Sequence, residues 1–115
     1  MRMWMVRPEM MCQKHLLGEH VEIHMLAGTL KRGKSIAAFI DKGLLEPSSL
    51  AERHDKLAEE MLKRGFRHLS PLGPETGEII ANLGEKEKNA RVDLGKSSAE
   101  LCARCPECRK RLAET

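Results

Sequence analysis

The sequence predicts an all-α fold, a compact single domain covering residues 1–115. Three observations predict it. Apolar residues between about 9 and 32 recur at steps of three, four and seven, the period of an amphipathic helix. Capping residues and glycines bracket two further helical stretches. The length of 115 residues is that of one domain with a modest core.

The elements follow in order. Residues 1–8 read as an extended lead-in that Pro8 helps to stop. The first helix, about 9–32, carries a seam of Cys12, Leu16, Ile23, Ala27 and Leu30, widened by Leu17 and Leu26, and Gly33 suits its C-cap. Ser35 caps a short helix holding Ile36, Phe39 and Ile40, which Gly43 terminates. Pro47 and Ser48 connect it to Ser49-Leu50-Ala51-Glu52, a capping-box pattern. The inner face of the helix that follows is Leu50, Leu57, Ala58, Met61 and Leu62, with Glu59/Lys63 and Glu60/Arg64 as i,i+4 pairs on its surface. Gly65 ends it. From Ser70 to Lys96 the periodicity dissolves among Pro71, Gly73, Pro74, Gly77, Gly84 and Gly95, so the C-terminal third is expected to be irregular, with a short helix near 77–82. Ser97 or Ser98 opens a last helix, which Pro106 breaks at a cost of roughly 3 kcal/mol or more.

Hydrophobic residues make up 41% of the chain and aromatics 3%, so the core is expected to be Leu, Ile, Ala and Met. The seven methionines suit a soft, adaptable core. A net charge of +3 permits a nucleic-acid partner without demanding one. Basic residues cluster at Lys31-Arg32-Gly33-Lys34, at Lys63-Arg64-Gly65-Phe66-Arg67 and at Arg109-Lys110-Arg111. No apolar run has the length of a membrane span, and the first residues lack the apolar stretch of a signal peptide. The expectation is a cytoplasmic, monomeric protein without a membrane partner. In that compartment its cysteines are thiols or metal ligands rather than disulfides.

Beside the apolar seam of the first helix runs a second stripe: His15, Gly18, Glu22, Met25 and Thr29, at steps of three and four. A histidine and a carboxylate share it, with a glycine between them. Glycine inside a helix costs about 1 kcal/mol relative to alanine. One reason to tolerate it is the close approach of another backbone, and the N-terminal segment is the nearest candidate. The competing reading is an ordinary solvated face. His20 lies on the apolar seam and reads as a core histidine, as does His54; the alternative joins His20, His24 and His54 in a metal site between two helices. Near the C-terminus, Cys102-x-x-Cys105-x-x-Cys108 needs a fourth ligand to close a tetrahedron, and Cys12 is the candidate. Structural zinc, an iron–sulfur cluster and free thiols all stay open.

The stretch Lys14-His15-Leu16-Leu17-Gly18-Glu19-His20-Val21-Glu22-Ile23 resembles the first helix of the phage-type pyrimidine-dimer DNA glycosylases. Arg53 to Leu57 and Glu60-Met61-Leu62-Lys63-Arg64-Gly65-Phe66 are similar to that family's second helix and the turn after it. The resemblance covers residues 1–70 and stops there, so residues 71–115 form a separate, Cys-containing segment. It implies three main helices with the N-terminus threaded between them. It implies a DNA-repair glycosylase with abasic-site lyase activity on double-stranded DNA carrying a pyrimidine dimer or abasic site. It implies the α-amine of Met1 as nucleophile, Glu22 as catalytic carboxylate, and Arg2, His15 and Lys14 along the sugar and phosphates.

The family's initiator Met is removed to expose a threonine; here Arg2 is expected to block removal, which leaves the Met1 amine at the aligned position. Two departures bear on dimer specificity. Val21 and Met25 stand where the family has arginines, and the aromatic C-terminal segment is missing. The alternative, from another class, is a non-catalytic DNA-binding helical module stapled by a metal.

The chemistry suits these groups. α-Amines ordinarily titrate near 7.7–8.0, against about 10.4 for lysine, so a useful fraction of such an amine is nucleophilic at neutral pH. Attack on the sugar C1′ displaces the base and leaves a Schiff base. A carboxylate stabilises positive charge on the sugar and shuttles the proton of elimination. None of these steps needs a cofactor. Phosphate contacts are expected from Lys14, Lys31, Arg32, Lys34, Lys63, Arg64 and Arg67. Trp4 reads as core rather than as a wedge into the DNA.

Overall fold

The computed structural model describes residues 1–68 and 70–114, and among them it has seven α-helices and no strand. They are α1 (Gln13–Lys31), α2 (Ala37–Asp41), α3 (Leu50–Lys63), α4 (Thr76–Ala81), α5 (Glu85–Asn89), α6 (Leu94–Arg104) and α7 (Pro106–Glu114), with 3-10 turns at Pro8–Met10 and Pro47–Ser49. The all-α expectation holds, and α1, α3 and α6 are the longest elements. No helix is long and apolar enough to cross a membrane among these residues.

α1 packs antiparallel to α3: Arg53 meets Glu19 near the middle of α1, whereas Arg64 meets the backbone just before α1 begins. The core between and around them holds Leu16, Ile23, Leu26 and Leu30 of α1 and Leu50, Leu57 and Met61 of α3. Met3, Trp4, Val6, Met10 and Met11 of the lead-in complete it, with Leu101 and Cys108 from the C-terminal third. The apolar seam read from sequence is therefore the buried one, and four methionines fill the core as expected. Leu62 departs from that reading: at 58% exposure it lies on the outside of α3.

The N-terminal segment is threaded through the molecule and held by its backbone. Met3 N–H donates to the Leu44 carbonyl at 2.8 Å. The Trp4 carbonyl accepts from Ser97 Oγ at 2.6 Å and the Val6 carbonyl from Arg53 at 2.6 Å. Arg64 donates to the Pro8 and Met11 carbonyls at 3.0 and 2.8 Å. Buried backbone carbonyls are costly without partners, so these side chains set the path of the segment.

Helix ends show where local chemistry held and where it did not. Gly33, Gly43 and Gly65 all take positive φ, as left-handed helix terminators should. After α3, Phe66 N–H returns to the Met61 carbonyl at 2.9 Å, closing the turn. The capping box at Ser49 does not form. Ser49 Oγ donates to the Glu46 carboxylate instead, because the Pro47–Ser49 turn leads into α3 and brings Glu46 within reach. The short helix expected near 77–82 is α4, whereas α5 lies in the stretch expected to be irregular and α6 begins earlier than predicted. Its cap is Asp93, which accepts from Lys96 N–H at 3.0 Å, while Ser97 is turned inward to Trp4. Pro106 does break the last helix: α6 stops at Arg104, Cys105 is extended, and Pro106 starts α7 at the position where a missing N–H costs nothing.

Candidate active site

Glu22 stands half-buried near the middle of α1. Burial raises its pKa above the ordinary carboxylate range. The positive charge of the Met1 amine opposes that rise, the neighbouring Glu19 adds to it, and the Arg2 charge and an Arg2 backbone N–H donated to the carboxylate oppose it. The amine and the carboxylate are thus neighbours. Thr29 of the same stripe donates to Met1 Sδ at 3.7 Å, so the first side chain lies along α1 toward its C-terminal end.

A cleft of about 410 Å³ opens beside the carboxylate, lined by Trp4, Lys14, His15, Gly18, Glu19, Val21 and Glu22. Gly18 serves this cleft and not a close backbone approach. A Cβ built there meets nothing within 4 Å, so the expected contact with the N-terminal segment is absent. Gly18 is exposed where it lines the cleft, across from Trp4 of that segment.

Arg2 turns its guanidinium away. It makes two bonds to the Glu100 carboxylate, 3.1 and 2.7 Å, and stacks 3.7 Å above the buried Trp4 ring. Trp4 is core, as read. The basic residues divide. Lys14, Lys31, Arg32, Lys34, Lys63 and Arg67 are exposed, with Lys31 and Lys63 in exposed pairs to Glu75 and Glu59. Arg64 is a correction to the expected phosphate contacts. Its side chain is 15% exposed and its guanidinium is taken up by Glu60 at 2.8 Å and by the carbonyls before α1.

The cysteine cluster differs from the predicted set. Cys12, His15, Cys105 and Cys108 bring their ligand atoms within 4.8 Å of one another, and Cys102 is outside the group. The break at Pro106 is the reason. In a continuous helix Cys102 and Cys105 would share a face, but Cys105 is extended and pairs with Cys108 in the first turn of α7. His15, read as a sugar contact, points Nδ1 at Cys12 Sγ, 3.2 Å away, and lies 3.8 Å from Cys108 Sγ. Backbone N–H groups of Cys12, His15 and Cys108 all point at sulfurs of the cluster. Burial lowers the His15 pKa, helped by Lys14 and Arg104, and burial pushes the Cys108 thiol up to about 12.

Sequence reasoning missed two features. One is the buried ion pair of Glu19 and Arg53, 2.6 Å apart, with side chains 0% and 3% exposed. Its only signal was a carboxylate on the edge of the apolar seam. The other is His68, which joins His20, His24 and His54 in a second group of ligand atoms within 4.8 Å of one another.

No curated protein and no solved structure matches the chain significantly. Residues 1–72, which include the threaded N-terminal segment, Glu22, α1 and α3, match the family model of the pyrimidine dimer DNA glycosylases, and the chain belongs to that family.

Proposed function

We propose that this protein is a DNA-repair glycosylase with abasic-site lyase activity, acting through a Schiff base on the Met1 α-amine with Glu22 as the assisting carboxylate. One observation carries the reading: the half-buried Glu22 carboxylate lines an open cleft and lies within electrostatic reach of the Met1 amine. The free amine attacks the sugar C1′ and the bond from C1′ to the base breaks, the base leaving with a proton. The C1′–O4′ bond then opens, with a proton delivered to O4′, and leaves the protonated Schiff base; loss of the C2′ proton sends its electron pair into the iminium, and the resulting enamine expels the 3′ phosphate as the C3′–O bond breaks. Water hydrolyses the imine and restores the amine. Glu22 stabilises the developing positive charge and takes the C2′ proton. The exposed Lys14, Lys31, Arg32, Lys34, Lys63 and Arg67 contact phosphates, and a lesion that already weakens base stacking lowers the cost of exposing C1′. Pyrimidine dimers are the substrate the family name points to.

We assign Cys12, His15, Cys105 and Cys108 to a structural zinc, outside the chemistry. Zinc–sulfur bonds of about 2.3 Å set tetrahedral sulfur–sulfur edges near 3.8 Å. The Cys12 and Cys105 sulfurs are 3.8 Å apart, which fits one ion and leaves no room for an iron–sulfur cluster.

Borohydride reduction on a duplex with an abasic site, followed by mass spectrometry, tests the catalytic reading. The expected adduct is on Met1, and one extra residue ahead of Met1 abolishes it. An adduct on a lysine, or binding without any adduct, would overturn the assignment in favour of another nucleophile or a non-catalytic DNA-binding module.

A further inference from the structure

Four of the chain's five histidines meet at one place. His20 and His24 lie one turn apart on α1, His54 is in the first turns of α3, and His68 follows the end of α3. One ligand nitrogen from each is within 4.8 Å of all the others. His68 Nε2 is 3.0 Å from His20 Nε2 and 3.3 Å from His54 Nε2. Zinc–nitrogen bonds of about 2.0–2.1 Å give tetrahedral nitrogen–nitrogen edges of roughly 3.3 Å, so the spacing suits a single ion.

Two further observations point the same way. His54 Nδ1 is 3.0 Å from the Asp55 carboxylate. With a metal on Nε2, that contact would hold the ring proton on Nδ1, the arrangement that orients metal-bound imidazoles. His24 Nε2 is buried without a hydrogen-bond partner. An orphaned buried nitrogen is costly, and a cation that accepts its lone pair removes the penalty. Four imidazoles alone do not satisfy one another, because N–H···N bonds join them only in pairs. The Ser70 carbonyl, 3.1 Å from His54 Nε2, accepts only when that nitrogen carries a proton, so metal binding at Nε2 releases this bond.

We infer that His20, His24, His54 and His68 form a second zinc site, distinct from the cysteine site and built wholly of imidazoles. With four protein ligands it is a closed, structural site. It ties α1, α3 and the segment after α3 together, whereas the cysteine site ties α1 to the C-terminal third.

The test loads the full-length protein with zinc, removes loosely held metal by gel filtration and counts what remains. His24→Ala/His68→Ala is expected to hold one equivalent fewer than the parent protein. X-ray absorption at the zinc edge of the unaltered protein needs no variant. Loading of both sites gives five nitrogens for three sulfurs, four imidazoles plus His15 against Cys12, Cys105 and Cys108; loading of the histidine site alone gives nitrogen only. Equal metal content in parent and variant, or a first shell of one nitrogen for three sulfurs, would overturn the site.

Discussion

Glu22 and Gly18 lie one helical turn apart at the same cleft, and replacing either is expected to raise stability while lowering activity. Burial raises the Glu22 pKa, so ionising it in the folded protein costs stability that the unfolded chain does not lose. That cost is absent below the unfolded pKa, where the carboxyl is protonated in both states, and is fully developed once pH has risen through the folded one. Glu22→Gln should therefore raise the unfolding midpoint at neutral pH and leave it little changed in acid, while strand cleavage at abasic sites falls by about 100-fold or more. Midpoints measured at two pH values beside single-turnover cleavage rates check both halves. Gly18→Ala removes a helix-interior glycine worth up to about 1 kcal/mol, and the new Cβ meets open space. It should stabilise the protein, but its methyl group enters the cleft, and cleavage of lesion-containing duplex should weaken. A gain in stability with activity untouched would separate the cleft from the reaction. The stripe on which both residues sit was legible from spacing. The reason for the glycine was not, because a sequence does not say which side of a helix another backbone takes.

Elements are held to one another here by arginines that sequence patterning treats as surface. Arg53 binds Glu19 with two nitrogens and the Val6 carbonyl with a third, joining α3, α1 and the threaded segment. Removing one partner of such a buried pair leaves the other charge unpaired, at about 3–5 kcal/mol. Arg53→Ala should lose stability on that scale in denaturant titration, and Glu19→Ala should do the same. A double variant should cost less than the two singles added together. Arg64 was expected among the phosphate contacts because it stands in a basic run. Its neighbour Lys63 is exposed, and one residue of helical rotation separates the two fates.

Across the whole molecule, the C-terminal third acts as the clasp of the N-terminal segment. Ser97 holds Trp4, Glu100 holds Arg2, Cys105 and Cys108 meet Cys12 and His15, and Arg111 reaches the Glu9 carbonyl. Chelation of the zinc proposed at the cysteine site, or Cys108→Ser, should lower the thermal midpoint by roughly 4 °C for each kcal/mol of lost stability, and cleavage should fall with it as the clasp loosens. Electrostatics also acts at this scale. The basic residues at the two ends of α1 and at the end of α3 lie at opposite ends of an antiparallel pair, and a helix of 19 residues spans roughly 28 Å. Lys34→Ala and Arg67→Ala should weaken DNA binding at every sequence and lower the slope of log affinity against log salt by about one each. An unchanged slope would place that residue off the DNA.

The order of residues was enough for the helical class, the buried seam of α1, the glycine stops, the break at Pro106, the family resemblance, and Glu22 and Met1 as candidates. Each of these depends on local periodicity, local φ preference or aligned spacing. Only the tertiary structure decided that His15 turns to the cysteines, that Cys102 stays out, that His68 joins three distant histidines, and that Arg2 and Arg64 are occupied inside the protein. Those outcomes depend on which helix faces meet and on where a broken helix redirects the chain, and the contacts that settle them join residues up to 98 positions apart.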